Sequence, residues 1–372
     1  KKLNNGDYDD LSSVSEIAYQ LTKDLQASSN DLHFRVTVYQ EEKSEENNRD
    51  LEALRRERLR RRQKDNFGFH KVELLDGNIG LIEISGMYGT EDAGRTAIAA
   101  MNLISYCDAL IIDLRDNSGG QPSMTQLICS YLFDKTEHLN SFYIRKGEVT
   151  NQFWTQAYVP GPRLADIPVF VLVSENTVSA GEGFAYALKH MNRAIIIGEA
   201  TAGGAHPQAP HEFPEESIVV HVPYGRAINP VTKSNWEGKG VEPHIEVPGR
   251  EALKVAHIEA LKRLKQLESD DKVQHGYDMI MEEVEAKHRP VVLSEEMLQK
   301  YTGRYNRGVE VKLIDGSLRV LRYLLVPMGN DKFMIENGDE QVYFVKDAEG
   351  SYSKLVVLFR DSSRVVFDRL KD

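Results

Sequence analysis

From Asn78 onward the sequence alternates, three times over, a short continuously apolar run with a longer stretch of helical periodicity. The pairs are NIGLIEI then EDAGRTAIAAMNLI, ALIIDLR then SMTQLICSYLF, and PVFVLVS then SAGEGFAYALKHM, with AIIIGEA closing the series. Strands that are apolar at every position need cover on both faces, and helical stretches between them supply it. The pattern therefore predicts an α/β domain whose sheet is buried between layers, over residues 66–250.

The flanks read differently. Leu11, Ile17, Ala18, Leu21 and Leu25 mark a helix in residues 9–29, and HFRVTVY alternates as a strand from His33 to Tyr39, giving an N-terminal segment over 1–40. Residues 41–65 form a charged connector of helical character. Its six arginines between Arg55 and Arg62 are interspersed with acids, which makes a solvated helix the better reading than a nucleic-acid arm. Two further helices fill a linker over 251–289. From Pro290 to the end, short alternating runs separated by IDGS, ENGDE and DAEGS predict a small all-β domain over 290–372.

Composition removes several function classes. With 46 Lys and Arg against 57 Asp and Glu the net charge is −11, which disfavours nucleic acid and anionic membrane surfaces as partners. No apolar run approaches the roughly 18 residues of a membrane span. The two cysteines, Cys107 and Cys129, lie in core-like stretches, and no His, Cys or carboxylate group has metal-ligand spacing, so neither metal nor cofactor is expected. The chain opens KKLNNGDYDD, without an initiator Met or an apolar leader, and these residues leave open whether an export signal was removed.

Two stretches invite chemistry. In NTVSAGEGFAYALK, Ser179 and Glu182 have the spacing of a helix-capping box, yet Ser179 also stands at a strand-to-helix junction where the free N–H groups of a helix start can stabilise an oxyanion. Cap and nucleophile both remain open on these residues. In IIDLRDNSGGQP a buried strand ends in the Gly119-Gly120 pair, either a tight turn or a second source of oxyanion N–H groups.

Taken in order, DLRDNSGG, TVSAGEGFAYALK, IIIGEATAGGA and WEGKGVEPHIEV resemble the serine peptidases of the C-terminal-processing (tail-specific) and tricorn-core family, including its retinoid-binding-protein-like members. The resemblance covers roughly residues 10–250. It implies a crotonase-like and Clp-protease-like spiral of ββα units. Where one branch of the family carries a catalytic lysine, in a pattern like Gly-Glu-x-Thr-x-Gly-Lys-Gly, this chain has Gly204, so the resemblance implies the tricorn-like alternative: Ser179 as nucleophile, His33 as base and Glu237 as its orienting carboxylate. Ala180 with Gly119 or Gly120 is then the implied oxyanion hole. The rival base is His70, the rival orienter Glu242, and His206 is a neighbour of the cleft by sequence order.

The function so implied is a serine endopeptidase that cuts peptides or unfolded protein segments through an acyl-enzyme, without metal or cofactor, and outside the cytoplasm as for many relatives. Two alternatives stand beside it: a noncatalytic module that binds a hydrophobic ligand or peptide on the same fold, and a crotonase-like acyl-transfer enzyme, for which no nucleotide or thioester site is evident.

Overall fold

The computed structural model describes residues 2, 5–31, 33–39 and 47–371; residues 41–46 of the expected connector lie outside the described residues. The chain divides into two compact units, residues 1–256 and 257–372.

In the first unit, α1 (Val14–Ser29) starts at a capping box, with Glu16 N–H donating to the Ser13 hydroxyl and Ser13 N–H to the Glu16 carboxylate. It ends at Asn30 in the left-handed conformation, from which the chain turns into the four-residue β1 (Arg35–Val38). The charged α2 (Asn47–Lys64) follows. Then come β2 (Phe69–Leu75), β3 (Ile79–Ile84), α3 (Thr90–Leu103), β4 (Ala109–Asp113), α4 (Pro122–Tyr131), the hairpin β5 (His138–Ile144) and β6 (Val149–Trp154), β7 (Val169–Val173), α5 (Ala180–His190) and β8 (Ile195–Gly198). A second hairpin, β9 (Gln208–Phe213) and β10 (Ile218–Pro223), precedes β11 (Gly225–Ile228) and β12 (Ile245–Glu246).

The principal sheet has six strands in the order β12-β8-β7-β4-β3-β2, parallel except for the β2–β3 hairpin. Its central strands β4 and β7 are buried at every residue, which is why their sequences carry no alternation. Ile112, Val171 and Ile196 join Ala97, Met101, Ile128, Phe184 and Leu188 of the helices in one core.

Two three-stranded antiparallel sheets, β1-β10-β9 and β11-β5-β6, stand apart from the six-stranded sheet. They matter for the site. β1 pairs with β10 from Arg35 opposite His221 to Val38 opposite Ile218, which ties the N-terminal segment to the hairpin that starts just after His206.

The second unit contains α7 (Asp271–His288), preceded by α6 (Gly249–Leu267) across the division, then α8 (Glu295–Tyr301). Eight strands follow as a sequential antiparallel meander: β13 (Gly303–Arg304), β14 (Glu310–Ile314), β15 (Ser317–Val320), β16 (Tyr323–Gly329), β17 (Lys332–Ile335), β18 (Gln341–Lys346), β19 (Tyr352–Leu358) and β20 (Arg364–Asp368). Its two ends meet, since Leu370 N–H donates to Arg304 O at 2.8 Å and Tyr305 bridges Arg369, so the sheet curls around Tyr301, Phe333, Phe344 and Leu355. The helix α8, which packs Leu298 and Tyr301 into that core, is an addition to the all-β expectation.

Candidate active site

Between β7 and α5 the chain makes a turn pinned to the loop that follows β4. The Thr177 hydroxyl donates to Leu114 O at 2.7 Å, Ser174 N–H to Thr177 Oγ1 at 3.0 Å, and Val178 N–H to Asn117 O at 2.9 Å. The turn ends at Ser179 with φ 53° and ψ −111°. Such a backbone costs a residue with a Cβ on the order of 1–3 kcal/mol and persists only where the surroundings enforce it. Gly119 is part of that enforcement. Its φ is 86°, and a Cβ there would lie 2.8 Å from Ser179 Cβ, so only glycine lets the two loops come this close.

The cap question divides into halves. Ser179 N–H donates to Glu182 Oε2 at 2.7 Å, so the glutamate half of the box is formed. The serine half is looser: the Glu182 N–H faces the Ser179 hydroxyl in capping-box fashion without making a hydrogen bond of strict geometry. The Glu182 carboxylate is fully buried and takes three more donors: the Thr201 hydroxyl and Gly203 N–H at 2.6 Å on Oε1, and Gly204 N–H at 2.9 Å on Oε2. Burial pushes its pKa up against the lowering effect of these donors. Glu182 thus fastens the serine turn to the 201–204 loop.

Ser179 and His33 line one cavity of about 420 Å³, together with Gly120, Ala180, His206 and an apolar wall from Phe142, Ile144, Phe153 and Trp236. Among the described residues no hydrogen bond joins the hydroxyl to the imidazole. Gly204 explains how the ring fits. A Cβ on Gly204 would lie 2.9 Å from His33 Cε1 and 3.3 Å from Nε2, so the imidazole occupies the space that a side chain at 204 would need.

His33 Nδ1 has two acidic neighbours, Glu237 Oε2 at 3.6 Å and Asp31 Oδ1 at 3.7 Å, separations of ion pairs rather than hydrogen bonds. Backbone N–H of His206 also approaches Nδ1, at 3.3 Å. Burial opposes the imidazolium, but the attraction of the Asp31 and Glu237 carboxylates wins, and the His33 pKa is raised to about 9. For Asp31 burial acts upward, and the bonds to His206 and His33 prevail and hold its carboxyl well below the ordinary range. Asp31 Oδ1 accepts the His33 N–H at 2.9 Å, and Oδ2 meets His206 Nδ1 at 2.5 Å. Glu237 Oε2 accepts the Ala205 N–H at 2.6 Å.

The other sequence candidates separate cleanly. His70 is surface-exposed and faces Asp65 Oδ1 at 2.9 Å, and it is not among the residues lining the cavity. Glu242 is exposed, its carbonyl accepting from Lys189 Nζ at 2.5 Å. Gly119 N–H is already engaged, donating to Asn117 Oδ1 at 2.9 Å, and only the neighbouring Gly120 lines the cavity. Of the expected oxyanion set this leaves Gly120 and Ala180, whose N–H groups have no acceptor among the described residues. His206 lines the cavity, in keeping with its place beside the cleft by sequence order, whereas Asp31 is a part of this site that the sequence reading misses. The available signal was an Asp-x-His spacing at the exit of a helix, which is common in turns.

Residues 78–247 match the model of peptidase family S41. The carboxy-terminal processing protease CtpA of Bacillus subtilis is 24% identical over 220 residues, 56% of this chain and 43% of that protein. A CtpA-like serine protease of Staphylococcus aureus is 26% identical over 192 residues, 48% of this chain and 36% of its own length. The chain therefore spans less than half the length of these curated relatives. Among solved structures, a candidate peptidase of Parabacteroides merdae superposes with a TM-score of 0.50 at 19% identity, covering 68% of this chain and 84% of that one, a likeness of fold.

Proposed function

We propose that this chain, an S41 peptidase domain with flanking segments, is a serine endopeptidase acting on peptides or unfolded protein segments through an acyl-enzyme. The observation that carries the reading is the convergence of a serine on a strained strand-to-helix turn and a histidine from a distant N-terminal segment on one cavity. The order of helices after β3, β4 and β7 is in keeping with a crotonase-like spiral for its core.

In the proposed mechanism neutral His33 removes the Ser179 proton as Oγ attacks the scissile carbonyl carbon. The developing oxyanion takes hydrogen bonds from Ala180 N–H, at the start of α5, and from Gly120 N–H. The imidazolium, held between Glu237 and Asp31, returns its proton to the leaving amine, and a water activated by the same ring releases the acyl group. The base step needs the tautomer with its proton on Nδ1. The two carboxylates favour it and the His206 N–H opposes it, so Glu237 and Asp31 have an orienting as well as an electrostatic part.

A fluorophosphonate probe tests the reading directly. Wild-type protein is expected to be labelled and Ser179→Ala not. Equal labelling of the two proteins, or none of the wild type beside active hydrolase controls, refutes it, and the second outcome leaves a noncatalytic module with an apolar cavity.

A further inference from the structure

Asp31, His206 and Glu237 each offer one donor atom within 4.8 Å of the others, although the three residues come from the exit of α1, the loop before β9 and the loop before β12. His33 Nδ1 stands at the rim of the same group, 3.6 Å from Glu237 Oε2. We propose that Asp31, His206 and Glu237 bind a transition-metal dication of the zinc type, and that the bound metal disables His33. The second half rests on the peptidase reading, and the first does not.

The donor set decides the class of cation. Two carboxylate oxygens with one or two imidazole nitrogens suit zinc and its neighbours, whereas magnesium and calcium take shells of oxygen. Tetrahedral zinc with bonds of about 2.0–2.1 Å spaces its donors roughly 3.3 Å apart. His206 Nδ1 is 3.7 Å from Glu237 Oε2 and 2.5 Å from Asp31 Oδ2, so insertion needs side-chain shifts on the order of 1 Å and no refolding.

Supporting contacts exist as well. His33 N–H holds the Asp31 carboxylate and Ala205 N–H that of Glu237, the kind of hydrogen bonding that orients ligating carboxylates. The way in is open, since His206 lines the catalytic cavity and, with Asp31, an adjoining surface pocket. Arg145, Lys146 and Arg226 line that outer pocket and oppose a dication, which makes this an inducible inhibitory site rather than a permanent one. Once zinc holds both carboxylates, they no longer orient His33 Nδ1, and that nitrogen is itself drawn to the open coordination position.

Binding is measured on the Ser179→Ala protein by calorimetric titration with zinc sulfate, so the answer does not depend on peptidase activity. One saturable equivalent is expected, weakened at least about 10-fold in Ser179→Ala/His206→Gln and in Ser179→Ala/Glu237→Gln. His206 lies in the loop before β9 rather than in a helix or strand, and unchanged thermal unfolding of each variant without zinc checks that the fold is kept. No saturable zinc binding, equal affinity in the His206→Gln protein, or magnesium sulfate binding as tightly as zinc each overturns the site. In the second arm, zinc is expected to suppress fluorophosphonate labelling of the wild type, with recovery on adding EDTA. Undiminished labelling at saturating zinc overturns the inhibitory role, while no labelling with or without zinc counts against the peptidase reading and leaves the binding result standing.

Discussion

Replacing Gly204 by alanine tests whether the imidazole of His33 really occupies the place a side chain at 204 would take. The added Cβ would approach His33 Cε1 to 2.9 Å, against the 3.5–4.0 Å at which carbon atoms rest, so something must yield by roughly 0.8 Å. The backbone of Gly204 is poorly placed to do so. Its N–H is fixed on Glu182 at 2.9 Å and its carbonyl on Trp236 Nε1 at 2.9 Å, and both partners are buried. Backbone strain is not at issue, because φ at 204 lies outside the left-handed range. The ring must therefore move, and it has room to, with 16% of its side chain still exposed. A displacement near 1 Å at a reacting group costs about 100-fold in rate, equivalent to about 2.7 kcal/mol of barrier. The expected result is a loss of about two orders of magnitude in kcat/KM on a peptide substrate, with about 1 kcal/mol, the low end for overpacking, lost in urea stability because the ring can move. Combined with His33→Ala, the same substitution is expected to cost nothing further, since the two act on one step. Activity within about threefold of wild type in Gly204→Ala, or full additivity in the double variant, would refute the argument.

The pH profile supplies a second prediction, measured with EDTA present. With the His33 pKa near 9 the base is largely protonated at neutral pH, so kcat/KM is expected to rise about 50-fold between pH 7 and 9 and then level off. A plateau reached by pH 7 contradicts the assignment. The linkage runs the other way for stability. The folded-state pKa is above the unfolded one, so the stabilisation from protonated His33 is complete below about pH 6.5 and disappears as pH rises through about 9. Glu182→Gln supplies a third. An amide nitrogen must then face at least one backbone donor now aimed at a carboxylate oxygen, and a loss of about 2–4 kcal/mol is expected in equilibrium unfolding, with a change below about 0.5 kcal/mol refuting it.

What the sequence made legible follows from how local each signal is. Strands β4 and β7 and helices α3 and α5 announce themselves because a buried strand is apolar throughout and a covering helix has its own period. The hairpins β5–β6 and β9–β10 escaped, since HLNSFYI and QAPHEF mix polar and apolar residues in small, incompletely buried sheets. The site divides along the same line. Ser179 and Gly120 sit on turns that β7 and β4 dictate locally. The meeting of Asp31, His33, His206 and Glu237 depends on β1 pairing with β10, and on Gly238 N–H donating to Gly203 O at 2.8 Å, contacts between segments far apart in the chain.

Ser179 and Glu182 then need not be divided between a structural and a chemical reading. A full capping box would tie the serine hydroxyl to the helix and withdraw it from a base. Here the firm half is the Ser179 N–H on the Glu182 carboxylate, while the Glu182 N–H meets the hydroxyl only loosely, so the helix start is stabilised and Ser179 still lines the cavity. The same carboxylate takes the N–H of Gly204, the residue against which His33 packs. One buried group thereby fixes the backbone beneath both the serine and the histidine, and it couples their relative position to a contact that neither segment makes alone. A catalytic lysine at 204 would reach the serine from this same loop and need no second segment. With glycine there, the ring has space but must be delivered by α1 and β1, whose four-residue pairing with β10 is the weaker link in the assembly of the site.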